Sequence, residues 1–193
     1  ITGVSDRAPI QKQLALMQTI MPQLKTVGVL YSSSDNSATS QMRLFKKIAK
    51  KAGLTVVEAS LSSVNDLEQV SQTLAPKVDA IYVPTDNTIA SAMGTLVRTT
   101  DKTKTPVFPS AETMVKDGGL ATVGLSQYDL GVETGKMAAQ VLSGKAKPAT
   151  TPIHYLRKGH LVLNLKKAKA LHITIPKDTI ETAQQKGTVI KWP

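Results

Sequence analysis

Four polar segments of this 193-residue chain carry side chains able to hold a small ligand. Ser32, Ser33, Asn36 and Ser37 lie in the first, Thr85, Asp86 and Asn87 in the second, Ser110 and Glu112 in the third, and Ser126 and Tyr128 in the fourth. Hydroxyls and backbone N–H groups at the positive end of a helix hold a carboxylate. An Asp accepts from an ammonium or a hydroxyl, and an Asn both donates and accepts. Ser33, Asn36 and Ser37 are therefore expected to hold a carboxylate, with Asp86 or Glu112 meeting an ammonium. Helix capping by Ser, Asp and Asn competes with this reading at every segment, because those residues cap helices with no ligand present. Four such segments on one sheet edge together point to a cleft.

Chemistry that breaks bonds has poorer support. His154, His160 and His172 all fall in the C-terminal part, away from the polar segments and without metal-ligand spacing, so each reads as a surface or packing residue. The chain has no Walker loop, no nucleophile elbow and no Gly-rich dinucleotide fingerprint. It has no cysteine, which removes disulfides, thiol catalysis and Cys-based metal sites. An enzyme is therefore not expected, nor is a cofactor or a metal.

The elements that must position the polar segments alternate between strand and helix. Thr26–Tyr31 is an apolar run followed by the Ser32–Ser37 loop and a helix with Met42, Phe45, Ile48, Ala49 and Ala52 on one face, stopped by Gly53. Leu54–Ala59 is a second strand. Ser63 with Asp66 three residues on reads as the start of a helix that carries Leu67, Val70 and Leu74 and closes at Pro76. Val78–Val83 is the strongest strand; it breaks at Pro84 into the second polar segment and a helix with Ile89, Ala92, Met93, Leu96 and Val97. Thr105–Phe108, a short helix over Glu112–Lys116 and a fifth strand, Leu120–Leu125, complete the pattern. Gly28, isolated in the first strand, reads as a place of close packing. A helix over Pro9–Ile20 precedes all this, and a long helix over Asp129–Ser143 follows. Strands near Ile153–Leu156 and Leu161–Leu165 and helices over Leu165–Leu171 and Lys177–Gln185 end the chain.

Continuous apolar strands imply burial on both faces, hence an α/β, Rossmann-like, mostly parallel sheet with helices on each side. In such sheets ligands sit beyond the carboxyl ends of the strands, where the polar segments fall. The formal charge of +10 invites a nucleic-acid partner, but the basic residues come in short runs such as Lys46-Lys47 and Lys50-Lys51. No aromatic side chains interleave with them, which favours a solvated basic surface and no nucleic acid. No stretch reaches the roughly 18 apolar residues of a spanning helix. The N-terminal Ile1-Thr2-Gly3-Val4 has no signal-peptide character, so the chain is expected to have been trimmed.

The blocks Thr2-Gly3-Val4-Ser5-Asp6, TVGVLYSSSDNS from Thr26, VDAIYVPTDNTIASAM from Val78, the run Thr105–Gly144 and the run Leu161–Pro176 follow one another in an order and spacing that resembles the tryptophan/tyrosine-type substrate-binding proteins of ABC transporters. The likeness covers nearly the whole chain. It implies a type I periplasmic-binding fold: two Rossmann-like lobes joined by a hinge and closing on an amino acid, aromatic ones favoured. Residues 1–125 would then be the second lobe with its opening helix, residues 126–193 would return across the hinge, and most of the first lobe would be missing. The resemblance further implies an ABC permease as partner and an extracytoplasmic setting, either periplasmic or as a membrane-anchored lipoprotein. Where the family usually has an acidic residue before Tyr-Asp-Leu-Gly, this chain has Ser126-Gln127. The effector-binding domain of a transcription regulator, which shares the fold, is the alternative.

Overall fold

The computed structural model describes residues 1–156 and 159–190. Strand and helix alternate from the start: β1 (Val4–Ser5), α1 (Ile10–Ile20), β2 (Thr26–Ser32), α2 (Asn36–Lys51), β3 (Thr55–Leu61), α3 (Leu67–Leu74) and β4 (Ala80–Val83). Val27 of β2 lies opposite Val56 on one side and Ala80 on the other, both in parallel register. The chain continues through α4 (Asn87–Ala90) and α5 (Met93–Asp101) to β5 (Val107–Pro109), giving the parallel order β3-β2-β4-β5. After α6 (Glu112–Lys116), β6 (Ala121–Gly124) runs beside β5 in the same sense. The Leu120 N–H donates to the Val107 carbonyl at 2.7 Å, and the Thr122 hydroxyl donates to the Ser110 carbonyl at 3.3 Å.

The period-2 geometry of a strand sends successive side chains to opposite faces, which divides the core in two. Val27, Val29, Ala80, Tyr82 and Phe108 face α1 and α2, where Phe45 stacks on Tyr82 with ring centroids 3.9 Å apart and planes within 9°. Leu30, Ile81, Val83 and Val107 face α3 and α5, meeting Leu67, Leu74, Met93 and Leu96. Gly28 has its place here: a Cβ on it would come within 3.0 Å of Leu74, so α3 packs against bare backbone.

Local signals set the helix ends. Asp35 caps α2 by accepting from the Ala38 N–H, and Gly53, with φ of +80°, terminates it where an L side chain would be strained. Ser63 and Asp66 form the reciprocal capping pair expected of them, ahead of a short 3-10 turn and α3. The single helix expected after Val83 is instead two pieces, α4 and α5. Ser91 turns its hydroxyl back to the Thr88 carbonyl at 2.8 Å, and the Ala92 N–H bonds only three residues back, to Ile89, so the first helix ends there.

From residue 127 onward the chain divides its allegiance. α7 (Gln127–Leu142) and β7 (His154–Tyr155) stand apart from the main sheet, β7 pairing in parallel with β1. Leu130 is the only buried residue of α7, while Tyr128 is 79% and Leu142 87% exposed. β8 (His160–Asn164), α8 (Leu165–Ala170), α9 (Lys177–Lys186) and β9 (Thr188–Ile190) return to the main body. β8 runs antiparallel to β6, and β9 parallel to β8. The expectation of a mostly parallel sheet holds, with this one antiparallel joint: the chain comes back from the far end of α7 and β7, so it re-enters in the opposite sense. β9 has no counterpart among the sequence expectations, since three residues next to a glycine carry too little pattern to read. Lys167, mostly buried, pairs with Asp101 at 2.7 Å and Lys104 donates to the Ala170 carbonyl, fixing the tail to the end of α5.

One buried polar side chain joins α1 to the sheet. Gln13 accepts from the Tyr82 hydroxyl at 2.8 Å and donates to the carbonyls of Ser110 at 3.1 Å and Val123 at 3.0 Å. Burial pushes the Tyr82 phenol far above its usual range, so the hydroxyl stays protonated and able to donate. Replacing Gln13 by Leu leaves the Tyr82 hydroxyl without its acceptor and takes one donor from each of the Ser110 and Val123 carbonyls. The substitution is expected to lower the unfolding free energy by about 2–4 kcal/mol, against about 1 kcal/mol for Tyr82→Phe. Urea denaturation of the three proteins measures both, and an unchanged midpoint for Gln13→Leu would show that the amide adds no stability.

Candidate functional site

Because β2, β4, β5 and β6 run the same way, the loops at their carboxyl ends gather on one rim of the sheet. Around the last three of these loops lies a concavity of about 530 Å³, which also takes in the segment ahead of α1 and the first turn of α7. Thr85, Asn87, Ser110, Glu112, Ser126 and Tyr128 line it, as do the apolar Ala8, Pro9, Ala111 and Leu125. A lining of both polar and apolar residues suits an amphipathic small molecule.

The rim is cross-linked from below. Thr85 donates its hydroxyl to Ser110 Oγ at 3.2 Å, and Ser110 is held in turn by Gln13. Gln41, on α2, accepts from the Thr85 N–H at 3.2 Å and reaches Ser37 Oγ at 3.4 Å, linking the first polar loop to the second. Ser126 caps α7 by accepting from the Asp129 N–H at 3.1 Å. Gln127 and Tyr128, in the first turn of α7, line the concavity; helix N–H groups at that end have no partner within the helix.

The other five expected residues lie elsewhere. Ser33, Asn36 and Ser37 are exposed at the start of α2, on the neighbouring part of the rim and outside the concavity. Ser32 is fully buried and Asp86 is 1% exposed. Asp86 Oδ2 accepts from the Ser32 N–H at 2.6 Å and Oδ1 from the Ile89 N–H at 3.1 Å. Its carboxylate caps α4 and ties β2 to the loop after β4, so both oxygens already serve the backbone.

Glu112 is the opposite case. It lines the concavity, its Oε1 is buried, and that oxygen has no hydrogen-bond partner. Buried carboxylate oxygens are nearly always satisfied, so an unpartnered one on a residue that lines the concavity makes Glu112 a binding candidate. Asp6 and Lys116 also line the concavity and were not among the expected residues. Lys116 lies four residues after Glu112, a spacing that puts both on one face of a helix. Asp6 gave no such signal, being far away in sequence. Gln13 and Gln41 were also missed: a lone Gln in an amphipathic helix looks like any solvated residue.

A family model described as ABC transporter substrate binding protein matches residues 1–186. Over 171 residues the chain is 34% identical to a tyrosine-binding protein of Clostridioides difficile (strain R20291), covering 89% of this chain and 49% of that protein. A crystal structure of an ABC domain from Streptococcus pneumonia in complex with L-Trp is 47% identical, with a TM-score of 0.87 over 98% of this chain and 63% of that one. A ligand-free, open substrate-binding protein with adhesive properties from Clostridium difficile is 30% identical, with a TM-score of 0.81 over 100% of this chain and 63% of that one. The chain spans about half the length of the curated relatives it matches.

The two carboxylates differ in a measurable way. Asp86→Ala removes the acceptor of two buried backbone N–H groups and is expected to lower stability by about 2–4 kcal/mol in chemical denaturation. Glu112→Ala, which removes an unsatisfied carboxylate, is expected to leave stability unchanged or raised. The reverse ranking would contradict this assignment of structural and binding roles.

Proposed function

The chain belongs to the ABC transporter substrate-binding proteins, and from that premise we propose that its concavity is one wall of a cleft that closes on an amino acid for uptake, aromatic side chains favoured. In this reading Glu112 meets the ligand's ammonium. Ser33, Asn36 and Ser37 at the start of α2 meet its carboxylate, supported by the Gln41 link that holds that loop against Thr85. Thr85, Asn87, Ser110 and Ser126 supply hydroxyls and an amide along the wall, and Tyr128 offers an exposed ring at its mouth. Asp86 and Ser32 act beneath the site by fixing the loops. The observation that carries the reading is the unpartnered oxygen of Glu112, a residue that lines the concavity. That relatives at 47% and 34% identity are described with L-Trp and as tyrosine-binding supports the choice of ligand.

The rest of the cleft belongs, in this proposal, to a second lobe. The nearly unburied α7, with Tyr128 and Leu142 exposed, and the small β1–β7 ribbon are what a lobe-to-lobe crossing would leave uncovered in one lobe alone. The extent of the relatives supports the same view. Ligand binding then shifts the protein towards its closed form in proportion to its differential affinity for that form, and outside the cytoplasm the closed form docks on an ABC permease in the membrane. No helix among the described residues is long and apolar enough to cross a membrane.

Glu112→Gln in the full-length protein is expected to weaken binding of L-tryptophan or L-tyrosine by about tenfold or more, near 1.4 kcal/mol. Unchanged affinity in calorimetry would remove Glu112 from the site. Micromolar affinity requires about 8 kcal/mol, of which one wall supplies a fraction. The isolated 193-residue chain is therefore expected to bind these amino acids more weakly than micromolar, and micromolar binding would refute the shared cleft.

A further inference from the structure

Glu112 is held against a position where a side chain has no room. A Cβ on Gly124 would lie 2.6 Å from Glu112 Cγ, 3.4 Å from its Oε1 and 3.5 Å from its Cδ, and these are its three nearest neighbours. Packed interiors do not accommodate the shortest of those separations, so one partner must move. Gly124 is fixed within β6, opposite His160 of the antiparallel β8. Glu112 projects from the first turn of the five-residue α6 and is the partner that yields.

Resting on the reading of Glu112 as the ligand's ammonium partner, we propose that Gly124 is a specificity-determining position. Its bare backbone lets the Glu112 carboxylate lie at the depth where it requires a cationic amine. Hydrogen bonds weaken steeply when donor and acceptor are misaligned, so a carboxylate pushed outward loses its contact with an ammonium fixed by the rest of the site. A ligand of the same apolar shape without the amine gains nothing from this carboxylate and meets an unpaired negative charge. The cleft thereby takes aromatic amino acids and refuses aromatic carboxylic acids. Gly124 does not touch the ligand in this scheme; it positions the group that does.

The test compares the affinities of L-tryptophan and indole-3-propionate, which lacks the amine, by calorimetry on the full-length protein. The wild type is expected to prefer L-tryptophan, and Gly124→Ala to reduce that preference by about tenfold or more. An unaltered preference, or an equal loss for both ligands, overturns the proposal, the second by showing a merely structural role. A double-mutant cycle adds an independent criterion. In a Glu112→Ala background the added methyl no longer meets the side chain, so it is expected to change L-tryptophan affinity by less than about twofold. Additive losses overturn the proposal. Should Glu112→Ala alone leave L-tryptophan binding unchanged, the assignment of Glu112 itself fails. That outcome is distinct from a weakened Glu112→Ala beside an unaltered Gly124→Ala, which sinks the role of Gly124 alone.

Discussion

The buried amide of Gln13 is the interaction on which the rest of the arrangement depends. It joins α1 to β4 through Tyr82, to β5 through Ser110 and to β6 through Val123. Ser110 lines the concavity, so the same amide that secures the opening helix also sets one wall of the site. A buried amide that both donates and accepts specifies a geometry more sharply than apolar packing does, because any shift strands a donor or an acceptor. Phe45 stacks on the Tyr82 ring beside this node, and burial raises the pKa of the phenol.

Above that node, strand direction does the gathering. Parallel strands deliver their loops to one edge, and four polar loops distant in sequence become neighbours there. Asp86 and Glu112 show how the same chemical group takes different work at that edge. Asp86 sits where two backbone N–H groups converge, and it becomes part of the scaffold. Glu112 sits beside the bare backbone of Gly124, where no donor reaches its buried Oε1. What separates them is the supply of donors.

The second half of the chain divides between the main body and segments that stand apart from it. Residues 160–190 rejoin the sheet through β8 and are held by the Lys167–Asp101 pair. α7 and the β1–β7 ribbon bury little within this chain. An amphipathic helix with Tyr128 and Leu142 in solvent has no packing partner for those residues among the described ones.

Residue pattern alone determined the strand and helix alternation, the two-faced burial of the sheet, the Ser63–Asp66 capping pair, the stop at Gly53 and the rim on which the polar loops lie. These follow from periodicities and backbone preferences that act over a few residues, and such preferences are written locally. The tertiary structure alone decided that Asp86 is consumed by capping while Glu112 is not, that Gln13 and Gln41 tie the rim together, and that Asp6 joins the site from the far end of the chain. It also decided the antiparallel return of β8 and the short β9. Each of these depends on which donors, acceptors and empty volumes meet across long separations in sequence, and no local pattern records such a meeting.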